Sequence, residues 1–426
     1  MTSKPVCGKG IAVINTDHDP TRPASLPAPP TTILCVSSYF KGNDFLTQAR
    51  REGCRVILLT LESLLDKPWA REEIDEIFGM PTLNDRRAVV NAVSYLARTR
   101  EIERVAPLDD YDVELAAHLR EHLRIPGMGE TTARYFRDKL AMRARAKDRS
   151  IPVPDFVHVL NDERVRRFLR TVPSPWLLKP RSEAASLGIK KLEHEGEALR
   201  VIEELGDDRS RYLLERMIPG QFFHVDSIVS EKRIVFAEAH QYRTSLFEVV
   251  NQGGPSATQT VDRSSDLWRE LIDVNERVIE HMGLVRGVTH IEYVRSAEDG
   301  RIYFIEAAAR VGGSHTSDVV EAATGINLWR EWAKIEIAQG ERPYALPPRR
   351  YDYAGLVLSL SRQEYPDMSA YTEPEIVWRT PEKAYHAGLI VRADKPERVG
   401  ELVEDYAVRF VRDFTAVLPP PTTPTA

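Results

Sequence analysis

The 426-residue chain is poor in cysteine, with three in all. An odd count without regular spacing is neither a disulfide framework nor a thiolate metal site. Cys35 and Cys54 fall in or beside apolar strand-like runs, where cysteine behaves as a small hydrophobe. No stretch approaches the roughly 18 uncharged apolar residues of a membrane span. G-x-G-x-x-G and the Walker A pattern are both missing, and no internal repeat is visible. Neither sign of charge dominates: 58 Lys+Arg stand against 64 Asp+Glu, net −6. That balance gives no signal for a polyanionic partner, so neither nucleic acid nor membrane is expected. The amino-terminal stretch Met1 to Thr32 lacks the uninterrupted apolar core and small-residue cleavage site of a secretory leader, so a cytoplasmic protein is expected.

What is present is globular: 42% hydrophobic and 29% charged residues. At roughly 150 residues per domain the length suggests about three packed units. Ten of the 28 prolines lie in residues 1–30 and 419–426, which predicts two disordered proline-rich tails. From Thr32, apolar runs alternate with helical periodicity, predicting an open α/β lobe over 31–125. Within it we expect a helix at 71–78, a strand at 104–108, and Asp109-Asp110 capping a helix at 111–123. Residues 126–155 read as a linker. Its helix, 130–147, is locally basic, with seven cations against two carboxylates between Arg134 and Arg149. Such a helix is a solvated face or one wall of a polyphosphate site. Hairpin-connected strands follow. The stretch 244–262 predicts a polar loop that closes as a lid, and 316–338 predicts one long helix.

The chemistry concentrates in a hairpin, residues 287–294 and 301–310, with Glu298-Asp299-Gly300 at its turn. A three-residue loop with Gly300 left-handed places Glu292 opposite Glu306 on one face. Carboxylates about 5 Å apart repel, and a divalent cation removes the conflict. Oxygen-only ligation favours Mg²⁺ or Mn²⁺ shared with phosphates; the alternative is two exposed glutamates near a turn. Arg310, four residues beyond, supplies a fixed cation. Lys179 interrupts an apolar strand, which suits an anionic partner, or else a side chain that snorkels to water. The small-residue loop 182–188 offers backbone N–H groups to phosphate oxygens. Glu215 ends an apolar strand ahead of Met217 and Pro219-Gly220, like the rim of a base pocket.

Taken in order, these residues resemble the ATP-grasp superfamily of carboxylate-amine ligases, from Pro126 to about Gly340. The resemblance implies a mixed α/β and α+β fold: an N-terminal open α/β lobe, a linker at 126–155, a small lobe at 156–243, a large lobe at 244–344 and a small C-terminal lobe at 345–418. It implies ATP contacts from Lys139, Lys179, Ser186, Gly188, Glu215, Met217, Gln221 and His240, with Gln221 and Asp226 toward the ribose. It implies metal ligation by Glu292 and Glu306, and catalytic roles for Lys179 and Arg310. Arg243 and His290 are further contacts to phosphate or substrate. The family pattern E-x-N-x-R reads Glu306-Ala307-Ala308-Ala309-Arg310 here, so the asparagine beside the second metal is replaced by Ala308, which leaves one or two ions open. Residues 384–391 resemble the extra lobe of L-amino-acid ligases. The implied reaction activates a small carboxylate, such as an amino acid, as an acyl phosphate and joins it to an amine, releasing ADP and phosphate. Its partners are then a carboxylate and an amine, with a homodimer as an open alternative to a monomer. Competing readings are a biotin-carboxylase-like enzyme and an inactive ATP-binding regulatory protein.

Overall fold

Four short parallel strands start the fold: β1 (Thr32–Ser37), β2 (Arg55–Leu61), β3 (Glu76–Met80) and β4 (Arg104–Pro107), in the order β3-β2-β1-β4. The computed structural model describes residues 30–184, 186–244, 249, 253–381 and 383–416. The proline-rich tails expected at 1–30 and 419–426 lie outside the described residues apart from Pro30. β1 is buried along its whole length because both of its faces are covered. Ile33 and Cys35 join one apolar cluster with Phe45 and Trp332, while Leu34 and Val36 join another with Val89, Val93 and Leu115. Both Cys35 and Cys54 are buried. The helix expected at 71–78 is instead a single turn at Arg71–Glu73 followed by β3. β3 is a half-buried edge strand, so it carries no continuous apolar run. Sheet order reverses between β1 and β4, which opens a crevice at their carboxyl ends, flanked by Ser38 and Asp109-Asp110.

The linker holds two helices, Glu130–Arg134 and Lys139–Asp148, rather than one. Asp138 separates them by capping the second: its carboxylate accepts from Leu140 N and Ala141 N at 3.0 and 3.3 Å. The basic stretch is only partly solvated, since Arg137, Lys139 and Arg143 are buried.

A second sheet is antiparallel, ordered β5-β8-β6-β7: β5 (Phe156–His158), β6 (Trp176–Pro180), β7 (Lys190–Leu192) and β8 (Tyr212–Arg216). Helices Asp162–Thr171 and Glu195–Glu204 cover one face, burying Trp176, Leu178 and Leu214. Strand alternation sends Lys179 and Glu215 to the opposite face.

The third sheet has eight strands: β9 (Gly220–Ser230), β10 (Arg233–Tyr242), β11 (Ser256–Thr260), β12 (Gly287–Ser296), β13 (Ile302–Ala308), β14 (Tyr353–Leu360), β15 (Ile376–Arg379) and β16 (His386–Ala393), ordered β13-β12-β9-β10-β11-β14-β16-β15. Two expected boundaries move. The small lobe ends before Gly220, not at 243, because β9 pairs with β12 from Gly220 to Val229. Residues 345–418 form no separate sheet, because β14 pairs with β11. β11 itself lies inside the expected loop 244–262, part of which is outside the described residues. Helix Asp266–Met282 packs Leu271, Val278 and Ile279 against Phe223, Val225, Ile291 and Phe304 on one sheet face. Each such side chain is worth about 1.5–3 kcal/mol of burial. The region 316–338 breaks into Thr316–Thr324 and Leu328–Ala338, since Gly325 turns at φ 80° and Asn327 caps Arg330 N. Helix Pro396–Asp413 covers β14 and β16. Among the described residues no helix is long and apolar enough to cross a membrane.

Candidate functional site

The open face of the second sheet carries a buried ion triad. Glu215 is 1% exposed, with Oε1 at 2.6 Å from Lys179 Nζ and Oε2 at 2.9 Å from Arg143 Nε. Burial pushes its carboxyl pKa up, but the two cations outweigh that and hold it below the usual glutamate value. The expected base-pocket role of the Glu215 carboxylate is therefore corrected: both oxygens are engaged by cations, and the residue fixes Lys179 in place.

Lys139, at the start of its helix, reaches Glu306 Oε1 at 2.8 Å and the Glu183 carbonyl at 2.5 Å. Loop 182–188 is tied down at its first residues. Tyr111 donates to Glu183 Oε2 at 2.8 Å, Arg137 donates to the Ser182 carbonyl, and Arg181 Nε meets Asp138 Oδ1 at 3.0 Å. Ser186 and Gly188 turn the loop with φ of 58° and 68°. Gly188 tolerates this without cost.

Glu292 and Glu306 stand directly opposite across β12 and β13, but not for the expected reason. Ser296 N donates to Arg301 O at 2.9 Å, and Arg295 pairs with Ile302. The turn is thus one residue longer than expected. An irregularity between Glu292/Glu306 and Tyr293/Phe304 leaves Ile305 extra and restores the opposition. Their side chains are 23% and 22% exposed. Tyr242 donates to Glu292 Oε1 at 3.2 Å, and His290 Nε2 lies 3.8 Å away. Burial raises the pKa of Glu292, yet His290, together with His224 and Tyr242, outweighs it and the net shift is downward.

Arg310 follows β13 and points to the crevice of the first sheet. Its Nη2 lies 3.0 Å from Asp110 Oδ2, and Arg137 Nη1 is 3.4 Å from Asp110 Oδ1. Burial opposes ionisation of both Asp110 and Arg310. Their mutual attraction wins, lowering the first pKa and raising the second. Arg310 Nε is buried with no hydrogen-bond partner.

The other expected contacts are placed as follows. His240 is 0% exposed, enclosed beneath His224, and cannot meet a nucleotide in the cleft. Asp226 is equally buried among histidines and does not reach outward to a ribose. Met217 donates its N–H to Pro175 O at 3.0 Å, on the connection between the sheets. Gln221 is exposed beside Arg295, toward the hairpin tip. Arg243 faces Glu404 at 3.9 Å. Sequence reasoning missed Asp110 and Arg143 as partners. Asp110 read as a helix cap, a role that Asp109 fills by accepting from Tyr111 N at 3.0 Å; Arg143 was one cation among seven.

Residues 172–318 match the ATP-grasp domain family. The chain carries an ATP-grasp domain. This ATP-grasp domain contains Lys179, Glu215, Glu292, Glu306 and Arg310, while Lys139, Arg143 and Asp110 come from the segments before it. An L-arginine-specific L-amino acid ligase of Bacillus subtilis is 22% identical over 269 residues, 62% of this chain and 64% of that protein. A D-alanine--D-alanine ligase of Thermotoga sp. (strain RQ2) is 26% identical over 188 residues, 41% of this chain and 57% of that protein. The chain thus spans less than two thirds of the length of either relative. The solved L-amino acid ligase of Bacillus licheniformis superposes with a TM-score of 0.70 at 17% identity, over 91% of this chain and 99% of that one. At that identity the likeness is one of fold, and it extends beyond the ATP-grasp domain to the N- and C-terminal segments.

Proposed function

We propose that this protein is an ATP-dependent, ADP-forming ligase that activates a small carboxylate, an amino acid for preference, and joins it to an amine. The observation that carries the reading is the facing pair Glu292 and Glu306, partly exposed, with Lys139 2.8 Å from Glu306; Lys179 and Arg310 are further cations with little exposure. The donor set fits a hard divalent ion: two carboxylates oppose each other with no sulfur between them, and each keeps oxygen lone pairs beyond its protein partners. Mg²⁺, or Mn²⁺ on the same oxygens, would be held by Glu292 and Glu306 and would supply charge neutralisation for nucleotide phosphates. Lys179, fixed by Glu215, and Lys139 present ammonium groups to phosphate oxygens. Arg310 has a buried, unpartnered Nε, a donor matched to the oxygen of an anionic substrate or of a transferring phosphoryl group.

An acyl phosphate hydrolyses readily, so water must be kept out while the amine attacks. Loop 182–188, tied to Tyr111, Arg137 and Lys139, supports that role. The crevice at Ser38 and Asp110, which Arg310 faces, is where we place the carboxylate substrate. The relatives named as L-amino acid ligase and D-alanine--D-alanine ligase support the choice of substrate class. The test is phosphate release with ATP, Mg²⁺ and pairs of amino acids or small acids, with mass spectrometry of the products. The expected result is release that requires both substrates and a product lighter than their sum by one water. Release that requires bicarbonate and biotin, or no turnover with any pair, overturns the assignment.

A further inference from the structure

Beside Glu292, on the same sheet face, three histidines and an aspartate from three strands share one buried patch that the proposed reaction does not use. His224 and Asp226 alternate along β9. His240 on β10 lies directly across from His224, and His290 on β12 directly across from Asp226. His224, Asp226 and His240 are each at most 2% exposed. Their ligand atoms all fall within 4.8 Å of one another. His224 Nδ1 is 2.7 Å from Asp226 Oδ2, and His240 Nδ1 is 3.5 Å from the same oxygen.

The outer ends of this group are already held. Asp226 Oδ1 meets His290 Nδ1 at 2.8 Å, and His224 Nε2 meets Thr258 Oγ1 at 3.2 Å. The inner ends converge, and one of them is poorly met: His240, 0% exposed, has only the long 3.5 Å approach of Nδ1 to Asp226 Oδ2 and no hydrogen bond at Nε2. A neutral imidazole carries one donor and one acceptor. Leaving one of them without a partner in a dry interior is unfavourable, and such groups are rare in native proteins. Packing alone gives no reason for that arrangement, whereas a cation gives the free nitrogen lone pair a partner.

We propose that His224, Asp226 and His240 form a second, buried site for a borderline transition-metal ion such as Zn²⁺, distinct from the Glu292 and Glu306 pair. Two imidazole nitrogens and one carboxylate oxygen suit Zn²⁺ or Co²⁺ and not Mg²⁺, which takes oxygen ligands and water. Bonds of about 2.0–2.1 Å place tetrahedral ligand atoms about 3.3 Å apart. Toward that value the 2.7 Å separation opens by about 0.6 Å and the 3.5 Å separation closes by about 0.2 Å, while the two stacked imidazoles, whose ligand atoms lie within 4.8 Å, rotate toward each other about their side-chain torsions. His290 and Thr258 then serve as the outer partners that orient a metal-bound carboxylate and imidazole. The ion ties β9 to β10 next to the cleft. Its presence does not depend on the ligase reading.

The test uses the full chain, loaded with Zn²⁺, dialysed against metal-free buffer and assayed by elemental mass spectrometry. Wild type retains about one equivalent. His240→Ala and Asp226→Asn each reduce retention by about tenfold or more, while Glu306→Gln keeps it. Co²⁺ added to the metal-free wild type gives a visible ligand-field band that Zn²⁺ abolishes and excess Mg²⁺ does not. This second measurement decides the matter even if the histidine variant fails to fold. The proposal is overturned if wild type retains no Zn²⁺ and shows no Co²⁺ band, or if retention survives His240→Ala and is lost in Glu306→Gln.

Discussion

Glu215 and the Glu292/Glu306 pair are strand glutamates near one helix, Lys139–Asp148, whose Arg143 meets Glu215 and whose Lys139 meets Glu306, yet their settings are opposite. Glu215 is sealed, with a cation on each oxygen. Glu292 and Glu306 keep about a fifth of their side chains exposed and face each other with a hydroxyl, an imidazole and one ammonium nearby. The first arrangement is electrostatically closed and holds other groups in position; the second is open and is completed by an added cation. The contrast separates carboxylates that build the site from those that bind in it.

The largest expected effect falls on the open pair. Glu306→Gln lowers ATP-dependent phosphate release by at least about 10²-fold, the scale of losing one electrostatic stabiliser of the transition state, while thermal melting shows a folded protein. Equal turnover in wild type and variant breaks the distinction. Next comes the closed setting. Glu215→Gln leaves Lys179 and Arg143 buried beside a neutral amide, a loss of about 3–5 kcal/mol by urea unfolding. A third test is its pH dependence. The Glu215 carboxyl titrates below its ordinary value of 4.5 in the folded protein, so its stabilisation is complete above that value and fades as pH falls through the lower folded pKa. The stability gap between wild type and Glu215→Gln therefore narrows on acidification below pH 4.5. The smallest effect belongs to the junction between the linker helices: Asp138→Ala loses a cap worth about 1 kcal/mol and leaves Arg181 held by the Ser210 carbonyl alone, which shows as a raised KM for ATP.

The residues legible in the sequence were those whose type contradicts their surroundings. Lys179 in an apolar strand and two glutamates in one hairpin stand out without any structure; Lys179 lies in β6, and Glu292 pairs across from Glu306. The opposition of Glu292 and Glu306 was reached through a three-residue turn, whereas the chain uses a longer turn and a compensating bulge; pairing parity alone cannot tell these apart. Strand β3 was hidden because an edge strand needs no apolar run. The small-lobe boundary failed because β9 and β10 look like any hairpin, and only their neighbour β12 shows which sheet they join. The histidine patch was invisible for a similar reason: His224, His240 and His290 are scattered along the sequence and meet only through cross-strand register.

The most direct test of the contrast is binding of Mn²⁺ in the presence of ADP, followed by electron paramagnetic resonance. Zn²⁺ is present throughout to occupy any histidine site. The account predicts that Glu306→Gln weakens Mn²⁺ binding by at least about tenfold, while Glu215→Gln, where folded, still binds Mn²⁺. Undiminished Mn²⁺ binding in Glu306→Gln, or loss confined to Glu215→Gln, would contradict it.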